Sequence, residues 1–308
     1  MQSKIILTRP ILKWVGGKTQ IIDAIIREFP ANIHNYHELF LGGGSVLLAL
    51  LSHQRAGVIT LTGDIYAYDA NEPLIAAYKN IQTSPDELYA QIQRLIADFA
   101  NVTGDVIDRK PATLEAAMQS KENFYYWTRA QYNALPPADK LHVRGSALFI
   151  FLNKTCFRGV FRVGPRGFNV PYGHYVNPEI INRDHLTAVS ALIRPVKFAC
   201  ADFAVVAKTI LPGDFVYMDP PYAATNATSF VGYTAGGFSA EQHRQLFAIC
   251  NDLTAAGTKC LLSNADVPLV RQHFTADAGY TTAVINCRRS INSKKPAART
   301  NEVIVKNY

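Results

Sequence analysis

A four-residue apolar run that ends in two prolines is the feature that most constrains how this sequence folds. Residues 215–218 have the apolar character of a buried strand, and Asp219, Pro220, Pro221 and Tyr222 follow them directly. Asp and Pro are residues that commonly end strands. The segment therefore predicts a strand with a carboxylate, two rigid residues and an aromatic ring at its carboxyl end.

The residues after this strand predict a small slot with two kinds of wall. Asp219 gives one edge that accepts hydrogen bonds, and Tyr222 gives a wall that stacks on a flat heterocycle. Such a slot suits an exocyclic amino group on adenine or cytosine, or the side-chain amide of glutamine. The simpler interpretation is a strand that ends in an ordinary turn, because a motif match is a hypothesis until its structural context is known.

The overall charge favours a polyanionic partner without requiring one. Lys and Arg number 31 against 24 Asp and Glu, which gives a net charge of +7. A basic surface suits nucleic acids, although moderately basic proteins with other partners are common. At 308 residues the chain is long enough for one large α/β domain or two smaller ones.

Cysteine usage and apolar patterning exclude several other classes of protein. The five cysteines show no paired spacing, which favours reduced thiols inside a cell. Neither a CxxC pair nor an HExxH motif occurs, which argues against a structural zinc site. The sequence shows no signal peptide and no apolar run long enough to span a bilayer. We therefore expect an intracellular protein without a membrane anchor.

Strand and helix patterns alternate in two parts of the chain, residues 1–83 and 195–308. Ser239 and Gln242 fit a capping box at the start of a helix, and Gly257 suits the position after its end. Predicted strands cover residues 37–41, 58–62, 66–68, 196–200, 215–218 and 259–263, and a closing antiparallel pair covers 284–288 and 302–305. These parts predict an α/β domain.

Residues 84–194 have a different pattern, with helical stretches around a loop-rich section. That section, residues 153–175, is dense in glycine, arginine and aromatic residues. The change of pattern predicts a second domain, which the chain inserts into the α/β domain.

Residues 38–45 read as a strand, a glycine turn and a helix. Gly42 and Gly44 let the backbone approach a ligand closely, and Asp69 ends the next predicted strand, where a carboxylate typically accepts hydrogen bonds from ribose hydroxyls. The glycines match neither the dinucleotide fingerprint nor a P-loop. A plain strand–helix turn with a surface aspartate is the alternative.

Two cation-rich segments predict anion binding. Residues 13–18, with Lys13, Trp14 and Lys18 around a glycine pair, precede a helix and resemble a carboxylate or phosphate site; two surface lysines flanking a turn is the simpler interpretation. Residues 153–173 carry four cations in a predicted hairpin that can place arginine against guanine in a DNA major groove. An ordinary solvated hairpin is the alternative there.

In their order along the chain, these motifs resemble those of the Dam-type (alpha-group) DNA adenine N6-methyltransferases. The order is KWxGGK from Lys13, ExFxGxGS from Glu38, a strand-end Asp69, an insert, and DPPY from Asp219. The resemblance continues through residues 151–154, 168–173, 262–264 and 288–291. It therefore covers nearly the whole chain.

The resemblance implies a fold and a reaction. The fold is a Rossmann-like S-adenosylmethionine-dependent methyltransferase sheet, formed by residues 1–83 and 195–308. Residues 84–194 are the inserted, mostly helical target-recognition domain, which carries a β-hairpin. The reaction transfers a methyl group from S-adenosylmethionine to N6 of an adenine flipped out of duplex DNA, within GATC or a related GAT-containing site.

The resemblance also assigns roles to particular residues. The catalytic residues, which form the pocket for the target adenine, are Asp219, Pro220, Pro221 and Tyr222. The cofactor-binding positions are Trp14, Lys18, Glu38, Phe40, Gly42, Gly44, Ser45, Asp69, Asp202, Phe203 and Asp219. The DNA-contacting positions are Lys13, Lys154, Arg158, Val160, Arg162 and Pro171, with Arg162 as the best candidate for guanine readout. The chain departs from the family pattern at Leu39, at Arg158 and between Gly167 and Phe168.

Partners and setting follow from the same resemblance. We expect double-stranded DNA as partner, no metal, and a monomer or a dimer on DNA. The setting is the cytoplasm and nucleoid, or a host cell infected by a virus that encodes the protein, with restriction–modification as one role. An RNA adenine or protein glutamine methyltransferase, or a catalytically silent DNA-binding protein, remains open at this point.

Overall fold

The computed structural model describes residues 5–223, 238–288 and 299–308. Residues 289–291, part of the resemblance above, lie outside the described residues, and of Arg288 only the backbone is described. No helix among the described residues has both the length and the apolar character needed to cross a membrane.

Helices and strands follow one another along the described residues. The helices are α1 Ile22–Arg27, α2 Ser45–Arg55, α3 Glu72–Thr83, α4 Pro85–Ala100, α5 Leu114–Ala117, α6 Lys121–Ala134, α7 Val143–Thr155, α8 Arg183–Leu192, α9 Phe203–Val206, α10 Ala240–Ala255 and α11 Pro268–His273. The strands are β1 Asn32–Ile33, β2 Tyr36–Glu38, β3 Thr60–Leu61, β4 Ile65–Asp69, β5 Val163–Gly164, β6 Gly167–Phe168, β7 Val196–Cys200, β8 Phe215–Met218, β9 Lys259–Ala265, β10 Thr281–Arg288 and β11 Arg299–Lys306.

The described residues fall into two compact units. The first unit lies within Met1–Arg9, Gly16–Ala70 and Pro195–Tyr308. The second unit comprises Pro10–Val15 and Asn71–Arg194. The boundaries differ from those expected from the sequence, which placed residues 1–83 in the first domain.

Local contacts explain the displaced boundaries. The helix α3 packs against α7 and α8 of the second unit, so the division falls at the end of β4 instead of at residue 83. Near the N-terminus, the Lys13 N–H donates to Asn153 Oδ1 at 2.9 Å, and Asn153 Nδ2 donates to the Lys13 carbonyl at 2.7 Å. These two hydrogen bonds hold the short segment Pro10–Val15 in the second unit.

A mixed seven-stranded sheet forms the centre of the first unit as described. The strand order is β10–β11–β9–β8–β2–β4–β7. The strands β9, β8, β2, β4 and β7 are parallel, whereas β11 runs antiparallel to β9 and β10 runs antiparallel to β11. The predicted closing antiparallel pair is therefore confirmed, and it is longer than expected. The predicted strand at 58–62 shrinks to the two-residue β3, which pairs in parallel with β1.

The chain reverses its path across the sheet between β2 and β8. From β2 it passes through β4 to β7, and it then returns to β8 on the other side of β2 before it reaches β9. In open α/β sheets, ligands bind beyond the carboxyl ends of the strands at such a switch point. The glycine turn after β2 and the Asp219 segment after β8 lie at this edge.

Both faces of β8 are covered, which explains why all four of its residues are apolar. On one face, the Phe215 ring lies 4.8 Å from the Phe29 ring, and the Tyr217 ring lies 5.8 Å from it. Successive side chains of a strand alternate between its faces. Val216 and Met218 accordingly join a core cluster with apolar residues of α9, α10 and α11.

The second unit is mostly helical and carries a short antiparallel hairpin of β5 and β6. The hairpin is smaller than the one predicted over residues 153–173. Lys154 lies in the last turn of α7, and Arg158 lies in the 3-10 turn Phe157–Gly159. Gly167 has a φ of +90°, and an added Cβ there would come 2.5 Å from Asn133 Oδ1, so this hairpin position requires glycine.

The predicted start and end of α10 are confirmed. The Ser239 hydroxyl accepts from the Gln242 N–H at 3.1 Å, and the Gln242 side chain accepts from the Ser239 N–H at 2.9 Å. Gly257 follows the helix with a φ of +84°. This helix covers the core beneath β8 and β9, so its cap supports the part of the sheet that ends in Asp219.

Replacing Ser239 with Ala (S239A) removes this cap and is expected to lower the free energy of unfolding by about 1 kcal/mol. Chemical denaturation monitored by circular dichroism measures the change. The exposed Gln245 lies within the same helix, and Gln245→Ala serves as the control that leaves stability unchanged. Equal stability of S239A and the wild type would contradict the role of the cap.

Candidate functional site

Asp219 is the first residue after β8, and its carboxylate is largely enclosed. Its Oδ2 forms an ion pair with Lys18 Nζ at 2.7 Å, and 17% of the Asp219 side chain is exposed. Burial raises the pKa of Asp219 to about 6, although the Lys18 ammonium acts in the opposite direction. Asp219 is therefore an ion-paired carboxylate at the switch point of the sheet.

Lys18 is fixed at the site by three contacts. Its ammonium donates to the Gly16 carbonyl at 2.5 Å as well as to Asp219. Its backbone N–H donates to the Ser45 hydroxyl at 3.1 Å, at the start of α2. Only 4% of Lys18 is exposed, so its single charge is directed at Asp219 and not at solvent.

The second carboxylate oxygen of Asp219 has no donor within the part of the chain that the structure describes. This Oδ1 atom is buried. A buried acceptor without a donor costs about 1–3 kcal/mol, and native proteins seldom keep one without a functional reason. The geometry therefore leaves one carboxylate oxygen with an unused capacity to accept a hydrogen bond.

Tyr222 lies beside this carboxylate. The Lys18 ammonium sits 4.7 Å from the centre of the Tyr222 ring. The Tyr222 hydroxyl donates to Glu302 Oε2 at 2.7 Å, on β11. The next residue, Ala223, donates its N–H to Asn264 Oδ1 at 3.1 Å, at the end of β9. The predicted slot residues thus come together, and two neighbouring strands support them.

Glu38 ends β2 and is almost completely buried, with 1% of the residue exposed. The Tyr36 hydroxyl donates to Glu38 Oε2 at 2.7 Å, and the Leu47 N–H also donates to the carboxylate. Burial, together with the negative charges of Asp219 and Asp69, raises the pKa of Glu38 to about 8, although the hydrogen bonds from Tyr36 and Leu47 act in the opposite direction. Three carboxylates therefore converge at the carboxyl ends of β2, β4 and β8.

The glycine turn after β2 is held by the predicted ribose-binding aspartate. Gly42 and Gly44 have φ values of +49° and +68°, which favour glycine over every other residue. Asp69 Oδ2 accepts a hydrogen bond from the Gly42 N–H at 2.9 Å. Ser45 begins α2 directly after the turn. The structure thus brings together Asp69 and Gly42, which lie 27 positions apart in the sequence.

Three phenylalanines form a cluster near this turn. The Phe40 ring lies 5.5 Å from Phe203 and 5.8 Å from Phe238, and Phe203 lies 5.6 Å from Phe238. Asp202 precedes Phe203 and caps α9, because its Oδ1 accepts from the Ala204 N–H at 2.8 Å. Phe40, Phe203 and Asp202 are among the predicted cofactor-binding residues, whereas Phe238 is not.

Two predicted site residues near the N-terminus belong to the second unit. The Trp14 ring stacks on Phe161 with a centroid distance of 6.0 Å and an interplanar angle of 20°. The Lys13 ammonium lies 3.8 Å from the centre of the Tyr175 ring and 3.4 Å from the Lys154 carbonyl. Burial lowers the pKa of both Lys13 and Lys154. Their predicted roles remain predictions.

The other predicted DNA-contacting residues also lie in the second unit. Arg162 is exposed beside the hairpin, and its Nε donates to Asn169 Oδ1 at 2.7 Å. Arg158 is exposed and has a φ of +57°, and its N–H donates to the Tyr175 hydroxyl at 3.0 Å. Val160 lies between these two arginines in the sequence and is half-buried, and Pro171 is exposed. The four residues present a partly cationic surface.

Sequence reasoning missed Glu302, Asn264 and Phe238 as parts of the site. Asn264 was visible at the end of a predicted strand, where polar residues face the ligand edge of a sheet. Glu302 offered a weaker signal, as an acidic residue that opens an apolar strand. Nor do the described residues gather three or more His, Cys, Asp or Glu side chains into a metal-binding cluster.

A family model places this geometry in context. Residues 14–290 match the family described as "D12 class N6 adenine-specific DNA methyltransferase". The chain belongs to this family. The matched residues include the glycine turn, Asp69 and the slot after β8, together with the whole second unit except its first four residues.

Individual relatives agree with the family model. The chain is 34% identical to the type II methyltransferase M.MjaIII of Methanocaldococcus jannaschii over 97% of this chain and 99% of that protein. It is 28% identical to the DNA adenine methylase of Escherichia coli over 92% and 90% of the two chains. Precorrin-6y C5,15-methyltransferase of Geobacter metallireducens aligns over 97% of each chain at 11% identity and a TM-score of 0.37, too low to support an inference.

Family membership decides among the functions that the sequence left open. The protein is an adenine-specific DNA methyltransferase that acts on N6. An RNA methyltransferase, a protein glutamine methyltransferase and a catalytically silent DNA-binding protein are therefore set aside. The roles of particular residues do not follow from membership alone.

The buried Glu38 makes the methyltransferase less stable as the pH rises. A carboxyl group whose pKa is higher in the folded state stabilises the fold fully below its ordinary pKa of 4.5, and this stabilisation is lost as the pH rises through about 8. Glu38→Gln keeps the acceptor for Tyr36 without ionising. We expect its unfolding free energy, relative to the wild type, to increase by up to about 1 kcal/mol per pH unit between about pH 5 and pH 8.

Urea denaturation across this pH range measures the effect. The exposed Glu87 provides the control variant Glu87→Gln, which should follow the wild-type pH dependence. The assignment fails if Glu38→Gln and the wild type show parallel pH profiles.

Proposed function

We propose that the methyltransferase uses S-adenosylmethionine as methyl donor and that Asp219 activates the amino group of a flipped-out adenine. The observation that carries the proposal is the buried Asp219 Oδ1, which lacks a donor within the described residues while Oδ2 is held by Lys18 at 2.7 Å. An adenine amino group supplies the missing donor. Membership in the N6 adenine-specific family supports the same pairing.

The residues at the switch point fit S-adenosylmethionine. Its groups require a close backbone approach, acceptors for hydroxyl and ammonium groups, and an apolar surface for a purine. The turn at Gly42 and Gly44 meets the first need, and Asp69 with Glu38 meets the second. The cluster of Phe40, Phe203 and Phe238 meets the third, with Asp202 beside it. We propose that Lys18 and Ser45 complete the cofactor site of this unit. When bound, the cofactor supplies an electrophilic methyl group on a sulfonium.

Asp219 and Pro220 prepare the nucleophile. The adenine amino nitrogen reacts poorly because its lone pair is delocalised into the ring. Asp219 Oδ1 and the Pro220 carbonyl accept its two N–H groups, which favours a tetrahedral nitrogen and frees the lone pair. The carboxylate also stabilises the positive charge that develops on nitrogen. The rigid Pro220–Pro221 segment fixes both acceptors before the substrate arrives.

Lys18 favours the ionised form of Asp219, which the mechanism requires. Burial alone would favour a protonated carboxyl group, which carries no negative charge to stabilise the amino group as it becomes positive. The ammonium at 2.7 Å favours the ionised form, so that the pKa of Asp219 stays near 6, within reach of neutral pH. Tyr222 provides the surface on which the extruded base stacks.

The second unit supplies the DNA contacts. A target atom inside a stacked duplex is inaccessible, so the adenine has to be extruded at a cost of about a few kcal/mol. Contacts from Lys13, Lys154, Arg158, Val160, Arg162 and Pro171 offset this cost. The helical unit with its β5–β6 hairpin is then the target-recognition domain, and the order of the mixed sheet supports a Rossmann-like methyltransferase domain.

The setting of the reaction follows from the same proposal. We infer a GATC or related GAT-containing recognition site, read chiefly by Arg162. The protein acts as a monomer, or as a dimer on DNA, inside a cell where duplex DNA and S-adenosylmethionine are both present. The relative from Methanocaldococcus jannaschii is named a type II methyltransferase, which favours a role in restriction–modification.

Asp219→Ala removes the proposed acceptor. We expect methyl transfer to duplex DNA to fall by at least about a hundredfold, because the charge that develops on nitrogen loses its partner. Binding of S-adenosylmethionine, measured by calorimetry, should remain detectable. Asp252→Ala, an exposed position on α10, should keep wild-type turnover. Near wild-type turnover in Asp219→Ala would refute the assignment.

Arg162→Ala removes the proposed guanine contact. The free-energy difference by which the enzyme prefers the correct base pair at one position of the site should fall by about 1–3 kcal/mol, because a bidentate arginine–guanine pair is lost. Methylation rates on duplexes with single base-pair changes measure this. Arg166→Ala changes an exposed arginine in the hairpin turn and should leave the sequence preference intact. An unaltered preference in Arg162→Ala would show that another residue reads the site.

A further inference from the structure

Glu302 makes a contact with the slot that the mechanism above does not use. Its Oε2 accepts a hydrogen bond from the Tyr222 hydroxyl at 2.7 Å, although the two residues lie 80 positions apart. The sequence indicates only that Glu302 begins a strand. In the structure it is half-buried at the edge where the slot lies.

The reversed direction of β11 brings Glu302 to this edge. The parallel strands present their carboxyl ends to the site, whereas β11 runs antiparallel to β9 and presents its first half. Glu302 pairs with Ala265, one residue beyond Asn264, which accepts from the backbone of Ala223. The Tyr222 hydroxyl is therefore held by β11, and the peptide that follows Tyr222 is held by the adjacent β9.

The direction of the hydrogen bond is fixed by the surrounding charges. Burial and the nearby carboxylates of Asp219 and Glu302 raise the pKa of Tyr222 well above its ordinary value, so the phenol keeps its proton. The Cys287 thiol is protonated too, because burial and the nearby Glu302 carboxylate raise its pKa to about 12, and its Sγ donates to the Thr300 carbonyl at 3.5 Å. The Tyr222 hydroxyl is thus the donor and the Glu302 carboxylate the acceptor.

We propose that Glu302 is a positioning residue that sets the plane of the Tyr222 ring for stacking on the extruded adenine. The inference rests on the proposed function, in which Tyr222 forms the stacking wall. A phenol ring outside regular secondary structure can rotate about both side-chain torsions, and the hydrogen bond to Glu302 removes that freedom before the base arrives. The Lys18 ammonium at 4.7 Å from the ring centre further restricts its position.

The test uses the whole enzyme and a duplex that the wild type methylates. Methylation rates are measured on this duplex with adenine at the target position, and fluorescence is measured on the same duplex with 2-aminopurine in place of the target adenine. Single-turnover methylation is measured at saturating duplex and S-adenosylmethionine. Glu302→Ala and Tyr222→Phe each remove the hydrogen bond, and we expect each to lower the rate about tenfold with little change in the KM for DNA. Glu302→Gln retains an acceptor and should recover most of the rate.

A double variant separates positioning from a general structural role. If Glu302 acts through the Tyr222 hydroxyl, Glu302→Ala should add little to the loss already caused by Tyr222→Phe. The 2-aminopurine fluorescence of the bound duplex should rise in both single variants, because the extruded base stacks less well. Glu87→Ala, an exposed change of the same charge, controls for net charge.

The outcomes distinguish this inference from the proposed function. The positioning role would be overturned if Glu302→Ala lowers the methylation rate as much in the Tyr222→Phe background as in the wild type. It would also be overturned if Glu302→Ala keeps the wild-type rate while Tyr222→Ala is impaired. If Tyr222→Ala itself keeps the wild-type rate and fluorescence, the stacking assignment fails and the inference falls with it. If Glu302→Ala does not fold, Tyr222→Phe still decides the question, because it removes the hydrogen bond and preserves the shape of the ring. A wild-type rate and fluorescence in Tyr222→Phe would then overturn the positioning role.

Discussion

The register between β2 and β8 is the constraint on which the site depends. It sets Glu38 opposite Tyr217, and the Leu39 N–H donates to the Tyr217 carbonyl at 3.1 Å just beyond the strand. The glycine turn and the Asp219 slot therefore begin at the same level of the sheet. A slip of one residue would exchange the two faces of β8 and move its packed aromatic side chains away from the core that holds them.

The site concentrates carboxylates where burial makes them costly. Glu38, Asp69 and Asp219 end three neighbouring parallel strands, and Lys18 is the cation paired with Asp219. Taking such charges out of water costs several kcal/mol per ion unless they are paired. A protein selected for stability alone would place apolar residues here. The arrangement is instead suited to a ligand that brings cationic and hydrogen-donating groups, which would complete the electrostatics of the free site.

The features that were predicted best are those that depend on residues close together in the sequence. The bounds of β7 and β8 and the cap at Ser239 agree with the prediction, because strand periodicity and capping chemistry are local. The family resemblance located the slot and the glycine turn. The contact of Tyr222 with Glu302 was not predictable, since it arises from the strand order and not from any short motif. The unit boundary moved for the same reason, because the partners of α3 lie in distant helices.

The place of β11 within the sheet has a consequence for how the enzyme matures. The chain makes β10 before β11, yet β11 lies between β9 and β10 and pairs with both. A nascent polypeptide that ends within β10 cannot join that strand to the sheet, and it lacks the carboxylate that meets the Tyr222 hydroxyl. Synthesis proceeds from the N-terminus and domains fold as they emerge. The contact between Tyr222 and Glu302 in the slot therefore forms only after β11 has been synthesised and has left the ribosome.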